Sequence, residues 1–178
     1  MKILPFLLTF LCALAAPAQY ITNAPLTRFE LFKLQPGVTL VRGMSVAQGQ
    51  EALFVEVRAE TLMDMRTSNS VRAVSLRGRA SNYTDVDYID YDELPGLIHG
   101  IQMISQSGHA MSPMDDFETL YRTRSGFGIS KMSLGNEIRI IVKSGREDAQ
   151  RVQIENYVLD ELAQALAAAK AKLDALPR

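Results

Sequence analysis

The sequence contains no tryptophan, a single cysteine, Cys12, and only two histidines, His99 and His109. One cysteine cannot form a disulfide within the chain, and Cys12 lies in an apolar N-terminal run that we expect to be removed on export. The remaining chain then has no thiolate nucleophile and no cysteine ligand for a metal. The composition therefore excludes thiol enzymes and cysteine-based metal sites.

The first 18 residues have the layout of a secretory signal peptide. Lys2 is basic, residues 3–16 are apolar, and the small residues Ala16 and Ala18 flank Pro17. About 14 apolar residues fall short of the roughly 20 that span a bilayer, which disfavours a membrane anchor. We expect cleavage after Ala18 and export to the periplasm or the cell exterior. Residues 19–178 then form a single domain without a membrane span.

Neither sign of charge dominates the chain, which has 19 lysines and arginines against 20 acidic residues. A formal net charge of −1 excludes a molecule that binds polyelectrolytes over its whole surface.

Hydrophobic alternation predicts strands in the first half of the chain. Residues 53–63 alternate apolar side chains with Glu56, Arg58 and Glu60, as a half-buried strand does. Residues 71–83 alternate in the same way after a polar link, so the two predict an antiparallel hairpin. Two shorter apolar runs, at 29–34 and 38–44, end at turn residues and are also predicted as strands.

The stretch VDYIDYDELPGLIHG, residues 86–100, combines four acidic residues with His99. An EF-hand loop that starts at Asp85 or Asp90 would have Ile89 or Leu94 at its fifth position, so the spacing excludes this calcium motif. We interpret the stretch as a strand that runs into a helix, and we expect Asp90 or Asp92 to cap that helix.

The helix is predicted from the period of its apolar residues, and Pro95 suits its first turn. His99 lies off the apolar stripe and is expected to be exposed. The stripe consists of Leu94, Leu97, Ile98, Ile101 and Ile104.

The second half predicts four strands, at 117–124, 126–134, 137–144 and 151–156, and a helix over 158–178. The helix carries one apolar stripe, which we expect to pack on a sheet; a homodimer through this C-terminal helix is the alternative. The stripe consists of Leu159, Leu162, Leu166, Ala169, Leu173 and Leu176. The predicted fold is α+β, with an antiparallel sheet or sheets of about eight strands and two helices.

Two short strings favour a duplicated β-β-β-β-α unit with halves at 29–107 and 116–178, against a chance match. Asp92-Glu93-Leu94 recurs as Asp160-Glu161-Leu162, and residues 51–54 are similar to residues 118–121. The element order resembles that of the Whirly family, which implies binding of single-stranded DNA. This resemblance covers element order alone and transfers no site residue.

A second resemblance lies in YDELPGL at 91–97 and FETLYRTRSGF at 117–127, with the strands that follow. These residues resemble a pattern in small exported bacterial proteins of unknown function, over about residues 85–178. The resemblance implies export and brings no activity.

The favoured function is a non-enzymatic binding or structural module for an unknown ligand or protein partner, with no cofactor and no metal. The sequence has no Gly-x-Ser-x-Gly elbow and no nucleotide-binding loop. Its two histidines, ten residues apart, do not have metal-ligand spacing.

A hydrolase is the first alternative. Its carboxylate and histidine would come together in the 107–118 loop, because exposed loops often carry function. The candidate catalytic residues are His109, Asp115 and Asp116.

A single-stranded nucleic-acid binder is the second alternative, because basic residues outnumber acidic ones over 117–151 and aromatic residues lie among them. Export and the ordinary charge of a solvated sheet face both weigh against it. The candidate binding residues are Tyr121, Arg122, Arg124, Phe127 and Lys131.

Overall fold

The computed structural model describes residues 25–47, 53–79, 81, 84–112, 114–135, 137–145 and 150–177. The predicted signal peptide lies outside these residues.

The first half of the described chain contains two helices and four strands, and the second half contains four strands and one helix. In order, the first half has α1 (Arg28–Lys33), β1 (Leu40–Val46), β2 (Val55–Asp64), β3 (Ser70–Gly78), β4 (Val86–Asp90) and α2 (Leu94–Gln106). The second half has β5 (Phe117–Arg122), β6 (Gly128–Leu134), β7 (Glu137–Lys143), β8 (Arg151–Ile154) and α3 (Asn156–Asp174). Single 3-10 turns lie at Tyr91–Glu93 and His109–Met111.

The strands form two antiparallel four-stranded sheets, in the orders β1-β2-β3-β4 and β5-β6-β7-β8. This confirms the predicted α+β fold with eight strands and two long helices. The predicted hairpin is also confirmed, since β2 pairs with β3 in a register that places Ala59 opposite Val74.

Each long helix packs on the sheet of the other half. α2 follows the first sheet but contacts β5 and β6, whereas α3 follows the second sheet and contacts β2 and β3. The two helices also pack against each other, and one hydrophobic core contains residues of both sheets and both helices. The halves are therefore interlocked, and neither buries its apolar face without the other.

The apolar stripes of both helices lie in this core. Leu94, Leu97, Ile101 and Ile104 of α2 are buried, and His99 is exposed as predicted. In α3 the stripe from Leu159 to Leu173 is buried within the chain. Because the chain itself covers this stripe, it is not an open seam for the alternative homodimer.

The strand predicted at 29–34 is wrong, because residues 28–33 form α1 and Leu34 is its C-cap. Thr27 Oγ1 accepts a hydrogen bond from the Glu30 backbone N–H at 3.2 Å, and the Thr27 N–H donates to the Glu30 carboxylate at 2.9 Å. This capping box starts a helix and outweighs the strand-like composition. Phe29 then stacks on Tyr88, with ring centroids 5.1 Å apart, so α1 covers part of the outer face of the first sheet.

The predicted cap of α2 is also wrong. A 3-10 turn separates β4 from α2, and neither Asp90 nor Asp92 caps α2 with a side-chain bond. Asp90 instead accepts the backbone N–H groups of Arg28 at 2.9 Å and Phe29 at 3.1 Å, so it caps α1. Pro95 in the first turn of α2 has no N–H, which leaves that helix one donor fewer to satisfy.

The strings that suggested a duplication do not fall at equivalent positions. Asp92-Glu93 precedes α2, whereas Asp160-Glu161 lies inside α3. The string at 118–121 lies in β5, whereas Phe54 lies just before β2. The order of four strands followed by a long helix repeats between the halves, but these two strings do not align in that repeat.

Candidate functional site

The outer face of the second sheet carries one of the three basic residues predicted for binding, Arg122, together with three other basic residues of the same strands. Side chains alternate along β5, so exposed Arg122 points away from the core and half-buried Tyr121 points towards it. The strand register continues both faces across the sheet. On the outer face lie Arg122 of β5, Arg139 and Lys143 of β7, and Arg151 of β8.

The centre of this face is lower than its flanks, because β6 carries the small residues Gly128 and Ser130 there. Gly128 lies opposite Arg122 on one side and Lys143 on the other. Ser130 lies in the same way between Leu120 and Ile141. We call these six residues the β6 furrow. It has one basic and one aliphatic pair of flanking side chains, and the Leu120 residue is 54% exposed.

Like charges lie side by side on this face. Lys143 and Arg151 are direct cross-strand partners, and each also makes an interaction within the chain. Of the acidic residues on the strands, Glu137 hydrogen-bonds Arg139 at 2.8 Å, which lowers the pKa of the Glu137 carboxyl. Among the described residues of these strands, the outer face carries four basic side chains against the two acidic ones of Glu118 and Glu137.

The aromatic residues predicted to stack on bases do not lie on this face. Phe127 is fully buried in the core. The Tyr121 ring lies against α2, where a Cβ atom added at Gly100 would be 2.3 Å from Tyr121 Cδ2. Neither ring can offer an open stacking surface, which stacking recognition of single strands requires.

Lys131, another predicted binding residue, is buried on the inner face of the second sheet with 6% of its surface exposed. Its Nζ donates to the carbonyl oxygens of Ser105 at 3.0 Å and Ser107 at 2.7 Å, and to Asn156 Oδ1 at 3.3 Å. These bonds join the end of α2 to the start of α3. Burial lowers the pKa of the Lys131 ammonium.

The substitution Lys131→Met tests this internal role. We expect it to lower the free energy of unfolding by about 1–3 kcal/mol, because two carbonyls lose their donor. The unfolded lysine binds its proton more tightly than the folded one. Raising the pH from the lowered pKa towards 10.5 should therefore stabilise the wild type relative to the variant. Urea unfolding between pH 7 and 10.5 measures the difference in the free energy of unfolding between wild type and variant. A difference that becomes smaller as the pH rises would contradict the internal role of Lys131.

Arg124 has a structural role in the turn between β5 and β6. Its guanidinium donates to both oxygens of Asp92 at 2.9 Å, and its backbone N–H donates to Glu93 at 2.8 Å. The hydrogen bond with Asp92 raises the pKa of the Arg124 guanidinium. These contacts join the second half to the junction before α2.

The predicted catalytic residues lie near the turn between β6 and β7. His109 is exposed, and its Nε2 lies 3.0 Å from Ser133 Oγ. Asp116 accepts the Gly135 N–H at 2.7 Å, and Asp115 is exposed. Ser133, which the sequence did not single out, is fully buried, so a substrate cannot reach its hydroxyl in this arrangement. The hydrolase stays a prediction.

A separate open cavity of about 350 Å³ lies between the start of β2 and the junction of β8 with α3. Leu53, Val152 and Val158 form its apolar floor, and Arg79 and Tyr157 lie at its rim. Its size is at the lower end for ligand pockets. None of the candidate catalytic or binding residues lines this cavity.

Among the described residues, no three His, Cys, Asp or Glu side chains are grouped so that they could hold a metal ion. Within the same residues, no helix is long and apolar enough to span a membrane.

Comparison with known proteins finds no matching family, no similar curated protein and no similar solved structure.

Proposed function

We propose that the chain is an exported, non-enzymatic binding module that presents the β6 furrow to an extended acidic segment of a partner protein. The observation that carries this proposal is the register of the second sheet. It places Arg122, Lys143 and Arg151 on one face, with the small residues Gly128 and Ser130 of β6 between β5 and β7. The described helices pack on the inner face of this sheet or on the first sheet, and Leu120 and Arg122 on the outer face are exposed.

The shape of the furrow favours an extended chain. Gly128 and Ser130 leave room along β6, and flanking side chains of alternating chemistry lie at every second residue. An extended peptide presents side chains with the same period of two. Acidic side chains would meet Arg122 and Lys143, and apolar ones would meet Leu120 and Ile141.

An acidic peptide fits this surface better than a nucleic acid does. Phosphates would contact the basic residues, but no described residue of the outer face offers the bases an aromatic ring. The proposed partner lies outside the cytoplasm, since the first 18 residues have the features of an export signal.

Fluorescence anisotropy with defined probes tests the proposal. We expect a labelled peptide of the repeat Glu-Ser-Val-Ser, which presents glutamate and valine in turn on the same side of an extended chain, to bind the purified protein. The same repeat with lysine in place of glutamate should not bind. Affinity should fall with added salt, because surface charges are screened. The double variant R122A/K143A should lose roughly tenfold or more in affinity, since it removes two charge contacts of about 1 kcal/mol each.

The matched control is Arg66→Ala, which removes an exposed arginine at the turn between β2 and β3 of the first sheet. It should leave the affinity unchanged. Equal loss in R66A would show a general charge effect and overturn the assignment of the furrow. Tighter binding of an oligothymidylate than of the acidic peptide, lost in R122A/K143A, would replace the proposal with single-strand binding.

A further inference from the structure

β1 is an edge strand that carries apolar side chains in solvent. In the described sheet it pairs with β2 alone, and at seven residues it is the longest of the four edge strands. Val41 is 45% exposed, Met44 is 52% exposed and Val46 is 45% exposed. The one charged residue of β1 is Arg42, whose Nε donates to the buried Glu60 carboxylate at 2.8 Å. β1 thus has no proline, no bulge and no other charge, which are the devices that keep natural edge strands from pairing.

The register with β2 fixes which backbone groups of β1 point to its open edge. The Ala47 N–H donates to the Val57 carbonyl at 2.9 Å, and the Met65 N–H donates to the Thr39 carbonyl at 3.0 Å. Odd-numbered residues therefore bond β2, and the even-numbered residues of β1 direct their N–H and C=O groups to the open edge. These residues are Leu40, Arg42, Met44 and Val46.

Lys172 of α3 covers one end of this edge. Its Nζ donates to the Val46 carbonyl at 2.5 Å and to Ser45 Oγ at 3.0 Å. A carbonyl oxygen has two lone pairs, so the Val46 carbonyl can accept a second hydrogen bond. In the described part of the chain, the outward backbone groups of Arg42 and Met44 have no partner. The middle of the edge is therefore available to another strand.

The same strand in a second copy of the chain fits this edge. Antiparallel pairing across a two-fold axis must place even residues opposite even residues, because these carry the outward groups. The register centred on Gly43 overlaps all seven residues and places Arg42 opposite Met44 of the second copy. It also places Leu40 opposite Val46. The register centred on Arg42 would instead place two arginines opposite each other, which destabilises a strand pair.

We propose that the protein forms a symmetric homodimer in which β1 pairs with β1 of a second copy in the register centred on Gly43. The two first sheets, of four strands each, then join into one continuous sheet. Main-chain hydrogen bonds hold the two strands together, and exposed apolar side chains such as Val41 and Met44 lose contact with water. A second copy is the occupant because the strand is complementary to itself and pairs no like charges.

Sedimentation equilibrium of the purified full chain tests this dimer. The wild type should sediment with twice the mass of one chain. V41K should raise the dissociation constant of the dimer by roughly tenfold or more, because the new ammonium would lie beside Ser45 of the second copy, where Lys172 is bound. The matched control is I138K, since Ile138 is a 54% exposed strand residue of the second sheet. I138K should form the dimer as the wild type does.

A disulfide across the two strands tests the register. The double variant V41C/S45C, made together with C12S, places each new thiol opposite one of the second copy, at a pair whose Cα atoms lie about 4.5 Å apart. Within one strand the two positions are about 13 Å apart, which is too far for a disulfide. Oxidation should give a covalent dimer on a non-reducing gel, whereas V41C or S45C alone should give none.

A monomeric wild type would overturn the proposal, even if its β1 binds other strand-forming peptides. A dimer that resists V41K and forms no disulfide in V41C/S45C would also overturn it, because the interface would then lie elsewhere. Both outcomes are independent of the β6 furrow, since β1 belongs to the first sheet.

Discussion

Replacing Glu60 with alanine is expected to lower the free energy of unfolding by about 3–5 kcal/mol. The Glu60 side chain is fully buried, and its carboxylate binds Arg42 Nε at 2.8 Å and Ser75 Oγ at 2.5 Å. Arg42 also donates to the Tyr88 hydroxyl at 3.2 Å. Removing the carboxylate leaves Arg42 and Ser75 without their partner beneath α1, and a buried polar group without a hydrogen bond is costly.

A double-mutant cycle with Arg42→Ala separates the ion pair from the lost volume. Arg42→Ala alone should destabilise strongly, because it leaves the Glu60 charge uncompensated in the fold. The double variant should lose clearly less than the sum of the two single variants. Strict additivity in urea unfolding would mean that the pair does not contribute as a unit. Glu137→Ala, which breaks the exposed pair with Arg139, is the control and should change stability little.

Replacing Gly145 with alanine is expected to cost about 3 kcal/mol, because the added methyl group would meet backbone rather than a mobile side chain. Its Cβ would lie 2.2 Å from the Ser125 carbonyl oxygen and 2.7 Å from the Phe127 nitrogen. The Gly145 N–H also donates to the buried Asp87 carboxylate at 2.8 Å. Relief of the clash would therefore pull the segment after β7 away from β4.

Thermal unfolding measures this effect, and a loss of 3 kcal/mol corresponds to a fall in Tm of roughly 6–12 °C for a chain of this size. Gly108→Ala is the matched control, since its backbone is extended and a Cβ there would meet nothing within 4 Å. An unchanged Tm for G145A would show that the close approach of these two turns is not required.

The long, regular elements were predictable because their hydrophobic periods were clear. The sequence of β2 alternates clearly, and α2 and α3 each bury a stripe of apolar residues. Burial along β2 changes face at Ala59 and Glu60, because α1 covers the other face of the sheet there, and no local pattern shows this. α1 was missed because six residues are too few to show a period, although the capping pair Thr27 and Glu30 was visible in the sequence. The crossing of each helix to the opposite sheet depends on tertiary packing, which no local pattern contains.

The candidate binding face was predicted only in part. Tyr121 and Arg122 are adjacent in a strand, so alternation alone already placed them on opposite faces. Lys131 lies on the inner face of the same sheet, opposite Thr119. Counting basic residues along the chain does not separate the two faces of a strand. Ser133 was missed because its contact with His109 joins segments that are distant in sequence.

We propose that the outer face of the second sheet binds an extended acidic chain, and this contact can be observed residue by residue. The most direct test is a titration of the isotope-labelled protein with the Glu-Ser-Val-Ser peptide, followed through its backbone amide NMR signals. We expect shifts concentrated at Leu120, Arg122, Ser130, Ile141 and Lys143, with little change in β1–β4. Shifts confined to the cavity around Leu53 and Val158, or spread evenly over both sheets, would contradict it.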